Sequence, residues 1–227
     1  MKRTTRLNAF TLIELLTVLA ILGILMALVS SGIMNAVNHA RRATATVAVK
    51  NIAHAVRAYS IDYGRYPAVA MPSGPDNNLF VIVGESEALA TSGNAGLFNA
   101  LRAIPSGANE GHALNPRRQR YFEGNPATSS RPPRGGFADG TLFPPELAGC
   151  YLDPWGRQYT VIMDADGDDS LSLGLIYADL AAPGNVLRQN PAVISLAADG
   201  IRGAKGYEGL LEKPGGMTPP DDLLSWR

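Results

Sequence analysis

From Phe10 to Val29 the sequence holds about twenty residues that are almost all apolar, enough as a helix to cross the hydrocarbon core of a bilayer. Only Glu14 is charged within that run. A carboxylate inside such a segment costs roughly 2.5–3.5 kcal/mol even on lenient insertion scales, so it calls for a partner or a purpose. The helical pattern continues beyond the run. Ile33, Val37, Ala40, Thr44, Ala48, Ile52, Val56, Tyr59 and Tyr63 recur at steps of three or four, while His39, Arg41, Arg42, Lys50 and Arg57 fall largely off that stripe. Gly64 and Pro67 then mark a stop, Gly suiting a left-handed C′ position and Pro being unable to continue a helix.

The rest of the pattern is shorter in period. Leu79–Val83 is a brief apolar run that fits a strand or part of a buried helix, and Ala95–Ile104 reads as a short helix ended by Pro105. Arg117, Arg118 and Arg120 beside Tyr121 and Phe122 read as a solvated edge strand. From Gly124 to Pro145 the density of Gly, Pro and Ser predicts a long surface loop. Tyr159–Met163, Leu173–Leu180 and Ala192–Ala197 read as three strands of an antiparallel meander. The expected fold is α+β: a long N-terminal helical stalk, transmembrane in its first half, packed against a small antiparallel sheet head with long loops.

Charge adds an orientation. Lys2, Arg3 and Arg6 directly precede the apolar run, which by the positive-inside bias places the following domain across the membrane. The chain as a whole balances 20 basic against 20 acidic residues, so no nucleic-acid partner is expected. Cys150 is the only cysteine, which excludes an intramolecular disulfide and reads as a small buried apolar residue. An ordinary secretory signal peptide competes for the N-terminus, but its apolar region is about 7–15 residues long and uncharged, unlike the run around Glu14.

Phe10-Thr-Leu-Ile-Glu14 after a short basic leader resembles the processing signal of type IV pilins and type II secretion pseudopilins. The resemblance implies cleavage by a prepilin peptidase between Ala9 and Phe10, methylation of the new Phe10 amine, and a role for Glu14 in subunit assembly. Residues 1–9 would then be a leader, 10–29 the membrane and filament-core helix, 30–63 the amphipathic stalk, and 64–227 the head. Loss of three leader cations leaves 20 − 3 = 17 basic residues against 20 acidic ones. The chain departs from the family at Ala9, where Gly is usual, and at Ser31, where many members carry a helix-kinking Pro.

Asp62-Tyr-Gly-Arg-Tyr-Pro67 and Asp153-Pro-Trp-Gly-Arg-Gln-Tyr159 extend the resemblance towards the major pseudopilin. In the second phrase Asp153, Pro154, Trp155, Gly156 and Tyr159 carry a structural expectation: Pro154 and Gly156 shape a turn, and Trp155 packs on the stalk. The resemblance also covers Ala198-Asp-Gly200 and Asp221-Asp-Leu-Leu-Ser-Trp226, implying Ca²⁺ held by Asp199, Asp221 and Asp222 with main-chain carbonyls. An alternative acidic cluster is Asp164, Asp166 and Asp168, which lacks the Gly and Glu of an EF-hand and reads first as a hairpin turn.

The resemblance therefore implies a non-enzymatic subunit, waiting in the bacterial inner membrane with its head in the periplasm. Its partners would be further copies, other pseudopilins, the peptidase and the inner-membrane assembly platform. A type IV pilus subunit for adhesion, motility or DNA uptake is the nearest alternative. A membrane-tethered metal hydrolase is the rival from another class; with His39 and His54 on the stalk and His112 isolated, no nucleophile–base spacing or His-rich cluster supports it.

Overall fold

The computed structural model describes residues 10–67, 80–84, 93–128, 131–140, 143–164, 167, 170–171, 177, 187–188, 190–203 and 221–226, with the backbone alone for 28–32 and 80–82. Helix α1 runs unbroken over Leu12–Tyr63, 52 residues. It contains no Pro, and its backbone stays helical through Ser31-Gly32, where many members of the resembled family carry a kinking Pro. The helix stops where the sequence placed its end: Gly64 takes φ +65° and donates its N–H to the Ser60 carbonyl. By packing, the chain divides after Ala40 into two units.

In the first unit every described side chain of the apolar run is exposed, Leu12 at 86% and Met26 at 76%. Among the described residues no helix is long and apolar enough to cross a membrane. The span expected over residues 10–29 therefore rests on the sequence.

In the second unit the helical stripe finds its partner from Ala48 to Tyr59, while Thr44 is exposed. Ala48, Val49, Ile52, Ala55, Val56 and Tyr59 are buried, and they pack with the odd-numbered face of a four-stranded antiparallel sheet. The sheet comprises β1 (Phe80–Val83), β4 (Thr160–Asp164), β5 (Ala192–Ser195) and β6 (Leu223–Leu224), in the order β1-β4-β5-β6. Val83, Val161, Met163 and Val193 point to the helix. Ile162, Ala192, Ile194 and Leu224 point the other way, onto Leu171, Tyr177 and Leu187. A strand covered on both faces has no polar side, which is why Val161–Met163 in the middle of β4 are all apolar.

Helix α2 (Ala95–Leu101) adds Leu97, Phe98 and Leu101 to the core under α1. Asn94 ties it to the strands, donating from Nδ2 to the carbonyls of Tyr151 and Tyr159 and accepting the Tyr151 N–H.

Four expectations change. The pairing of β4 with β5, flanked by β1 and β6, replaces the simple meander; the Leu173–Leu180 strand lies mostly outside the described residues. The region 124–145 is a folded-back segment: β2 (Gly136–Phe137) pairs with β3 (Tyr151–Leu152), and Phe137 and Ala138 are buried. Gly136 permits this, because a Cβ there would meet the Asn125 carbonyl oxygen at 2.4 Å. The Arg117–Arg120 stretch is a turn and extended coil, pinned by the Arg118 N–H to the Asn115 carbonyl, instead of an edge strand. Trp155 is half-buried and outside the core on α1, where the aromatic from the same phrase is Tyr159. Tyr159 is fully buried there and stacks on Tyr151 with ring centres 5.3 Å apart.

Candidate functional site

The helix begins at a reciprocal cap. Thr11 donates its N–H (2.9 Å) and its hydroxyl (2.7 Å) to Glu14 Oε2, and the Glu14 N–H returns a contact to Thr11 Oγ1 at 3.3 Å. This is a capping box, Thr-x-x-Glu, which satisfies N–H groups that the first helical turn leaves without partners. The carboxylate that looked misplaced in the apolar run thus has a local partner. Its sequence signal is Thr11-Leu-Ile-Glu14, which coincides with the family motif. Phe10, directly before the cap, is 72% exposed; Ala9 lies outside the described residues.

In the head, Asp153 is fully buried and gathers three donors. Its Oδ1 accepts the N–H groups of Trp155 (2.9 Å) and Arg157 (3.0 Å), and its Oδ2 accepts the Ser195 hydroxyl at 2.8 Å. One carboxylate thereby shapes its own turn and fastens that turn to β5. Burial pushes its pKa above the ordinary carboxylate value, against the lowering effect of those hydrogen bonds and of the Arg157 charge. Gly156 completes the turn at φ +97°, and a Cβ there would come within 2.7 Å of the Pro133 carbonyl oxygen. Pro154 is buried beside them.

The acidic candidates are differently placed. Asp199 is exposed and accepts the Ile201 N–H at 3.0 Å. Asp222 is buried and accepts both the Tyr177 hydroxyl (2.9 Å) and the Gly203 N–H (3.0 Å). The second contact joins the residues on either side of 204–220, which lie outside the described residues. Asp221 is half-buried. Asp164 is buried at the end of β4, where its Oδ1 accepts the Gly167 N–H at 2.8 Å; Asp166 and Asp168 lie outside the described residues. Among the described residues no three acidic, His or Cys side chains converge as a metal site. Cys150 is buried, and burial pushes its thiol pKa up, as befits a packing residue.

Compared with known proteins, residues 6–30 fit the model of the prokaryotic N-terminal methylation motif. That motif is the hallmark of type IV pilins and pseudopilins, and at residues 6–30 it indicates a type IV pilin-like subunit. The motif implies processing by a prepilin peptidase, membrane anchoring and assembly into filaments with other pilins. No curated protein and no solved structure gives a significant match to the chain.

Proposed function

We propose that the protein is a structural, non-enzymatic subunit of a type II secretion pseudopilus, cut between Ala9 and Phe10, methylated on Phe10, and drawn from the inner membrane into a periplasmic filament that drives protein export. The observation that carries this reading is the exposure of every described apolar side chain from Phe10 to Ala27 on a capped helix. So much apolar surface needs lipid before assembly and neighbouring stalks after it. The single cysteine and the Asp153–Tyr159 phrase favour a pseudopilus over a type IV pilus.

Glu14 is the assembly carboxylate in this reading. It exchanges its Thr11 partner for the Phe10 amine of an adjoining subunit, a contact strengthened by the low dielectric of the filament core. Deleting the chain tests the whole: loss of secretion without loss of long surface fibres supports the pseudopilus, and loss of such fibres alone makes it a pilus subunit. Glu14→Ala is expected to abolish cross-linking between neighbouring stalks, and normal cross-linking refutes its role.

Calcium belongs to the same proposal, with Asp199, Asp221 and Asp222 as side-chain ligands. The Gly203–Asp222 hydrogen bond supports it by closing the loop such an ion would fill. The alternative is the cluster Asp164, Asp166 and Asp168, of which only Asp164 is among the described residues. The ion, where bound, supplies fixed charge that holds the loop; it carries out no reaction.

A further inference from the structure

A cavity of about 120 Å³ opens where α1 crosses the start of β5 and the end of β6, lined by Lys50, Ala53, His54 and Arg57 of the helix and by Pro191 and Ser225. It suits a compact ion, since sites for organic ligands take about 300–1,000 Å³. Lys50, His54 and Arg57 bring nitrogen donors to it, and no described lining residue is acidic. They stand at i, i+4 and i+7, so the helix sets all three on one face. All three are exposed, and among the described residues Lys50 and Arg57 enter no ion pair.

The far wall is fixed. Ser225 is buried, donates its N–H to the Val193 carbonyl at 2.9 Å and accepts the Val193 N–H on Oγ at 3.0 Å. Arg57 is held from its own side, because Nε (3.3 Å) and Nη2 (2.9 Å) both donate to the Asn190 carbonyl. That contact ties the stalk to the sheet and accounts for one edge of the guanidinium. It leaves Nη1 for a ligand, and it gives Lys50 and His54 no role.

We propose that this cavity binds a phosphate group. A tetrahedral oxyanion offers oxygens in several directions, which matches donors that converge from a helix face and a strand end, whereas a carboxylate presents two oxygens in one plane. Arg57 and Lys50 supply the charge, the first as a planar fork and the second as a mobile point, and His54 adds a ring N–H. An anion seated there bridges α1 to the residue that follows β6, and so fastens the last strand of the sheet to the stalk. Free phosphate and a phosphate monoester carried on a lipid share this chemistry. The site stands apart from the filament reading and does not depend on it.

The test titrates the full chain in uncharged detergent with inorganic phosphate and, separately, with phosphatidic acid in mixed micelles. Sodium chloride holds the ionic strength constant, and the readouts are the unfolding temperature and the phosphorus NMR line width. Inorganic phosphate is expected to raise the unfolding temperature saturably and to broaden its own line. Lys50→Gln is expected to weaken that binding about tenfold, the loss of one charge-assisted contact, and Lys50→Arg to retain it. Lys50 carries the test because it is exposed and makes no contact that the fold needs, whereas Arg57 also holds Asn190. A saturable response to phosphatidic acid alone, lost in Lys50→Gln, supports the site with a lipid-borne phosphate as its source. No saturable response to either probe, or an equal response from wild type and Lys50→Gln, overturns the proposal.

Discussion

Replacing Asp153 separates the value of its hydrogen bonds from the value of its charge. Asp153→Ala leaves the N–H groups of Trp155 and Arg157 without their acceptor, and the Ser195 hydroxyl without its partner across to β5. Each stranded donor costs about 1–3 kcal/mol when water cannot reach it. Both backbone donors are only partly buried and the hydroxyl can turn, so the sum should come to about 2–4 kcal/mol. In a unit of this size that lowers the unfolding temperature by about 5–15 °C.

Asp153→Asn keeps Oδ1 for the two backbone donors and lets Nδ2 donate to Ser195 Oγ, so it should cost under about 1 kcal/mol. The pH dependence follows from the direction of the shift. Because burial raises the folded-state pKa above 3.8, the stabilisation linked to the proton is complete below that value and is lost as pH rises through the folded pKa. The asparagine variant lacks this loss, so its stability relative to wild type should improve from acid to neutral pH. Thermal unfolding of the detergent-solubilised chain, followed by near-ultraviolet dichroism of the buried tyrosines, measures all three proteins. An asparagine variant as unstable as the alanine one would refute the hydrogen-bond argument. A relative stability that worsens on going to neutral pH would refute the sign.

Gly156→Ala should destabilise the head by about 1–3 kcal/mol, since it adds a Cβ to a left-handed backbone beside a carbonyl; an unchanged unfolding temperature would show that the turn can relax. The buried Cys150 thiol should react with iodoacetamide only on unfolding, so rapid labelling of the native chain would place it elsewhere. If calcium fills the 199–222 loop, chelation should lower the unfolding temperature of the wild type and leave Asp199→Asn unmoved; equal values with and without chelator remove calcium from the proposal.

The features best read from sequence were those set by local periodicity. The stalk stripe, the Gly64 stop, and the apolar runs of β1, β4 and β5 each carry their signal within a few residues. What escaped was set by distant partners. Strand β6 is two leucines in an acidic segment, and only pairing with Ile194 and Ser195 makes it a strand. The 124–145 segment has loop composition, yet Phe137 gives it a buried anchor among Phe98, Phe122 and Tyr151. The Asp153 phrase was legible as a turn. Its link to Ser195, 42 positions away, has no local mark, and the large apolar surface of Trp155 does not reveal that Tyr159 is the aromatic packed in the core. At the N-terminus the opposite happened: the Thr11–Glu14 cap is wholly local, but the stronger processing motif occupied the same residues.

The pairing of β5 with residues 223 and 224 also constrains when the head can fold. A chain delivered N-terminus first, whether from a ribosome or through a translocation channel, presents α1, β1 and β4 long before the strand that completes the sheet. Until Leu224 arrives, β5 keeps an open edge and Ile162 and Ile194 lack part of their cover. The interval between delivery of residue 164 and residue 224 is therefore a window of vulnerability to proteases and to mispairing with other emerging chains. A chaperone that shields strand edges would act during that interval and have nothing to hold once it closes.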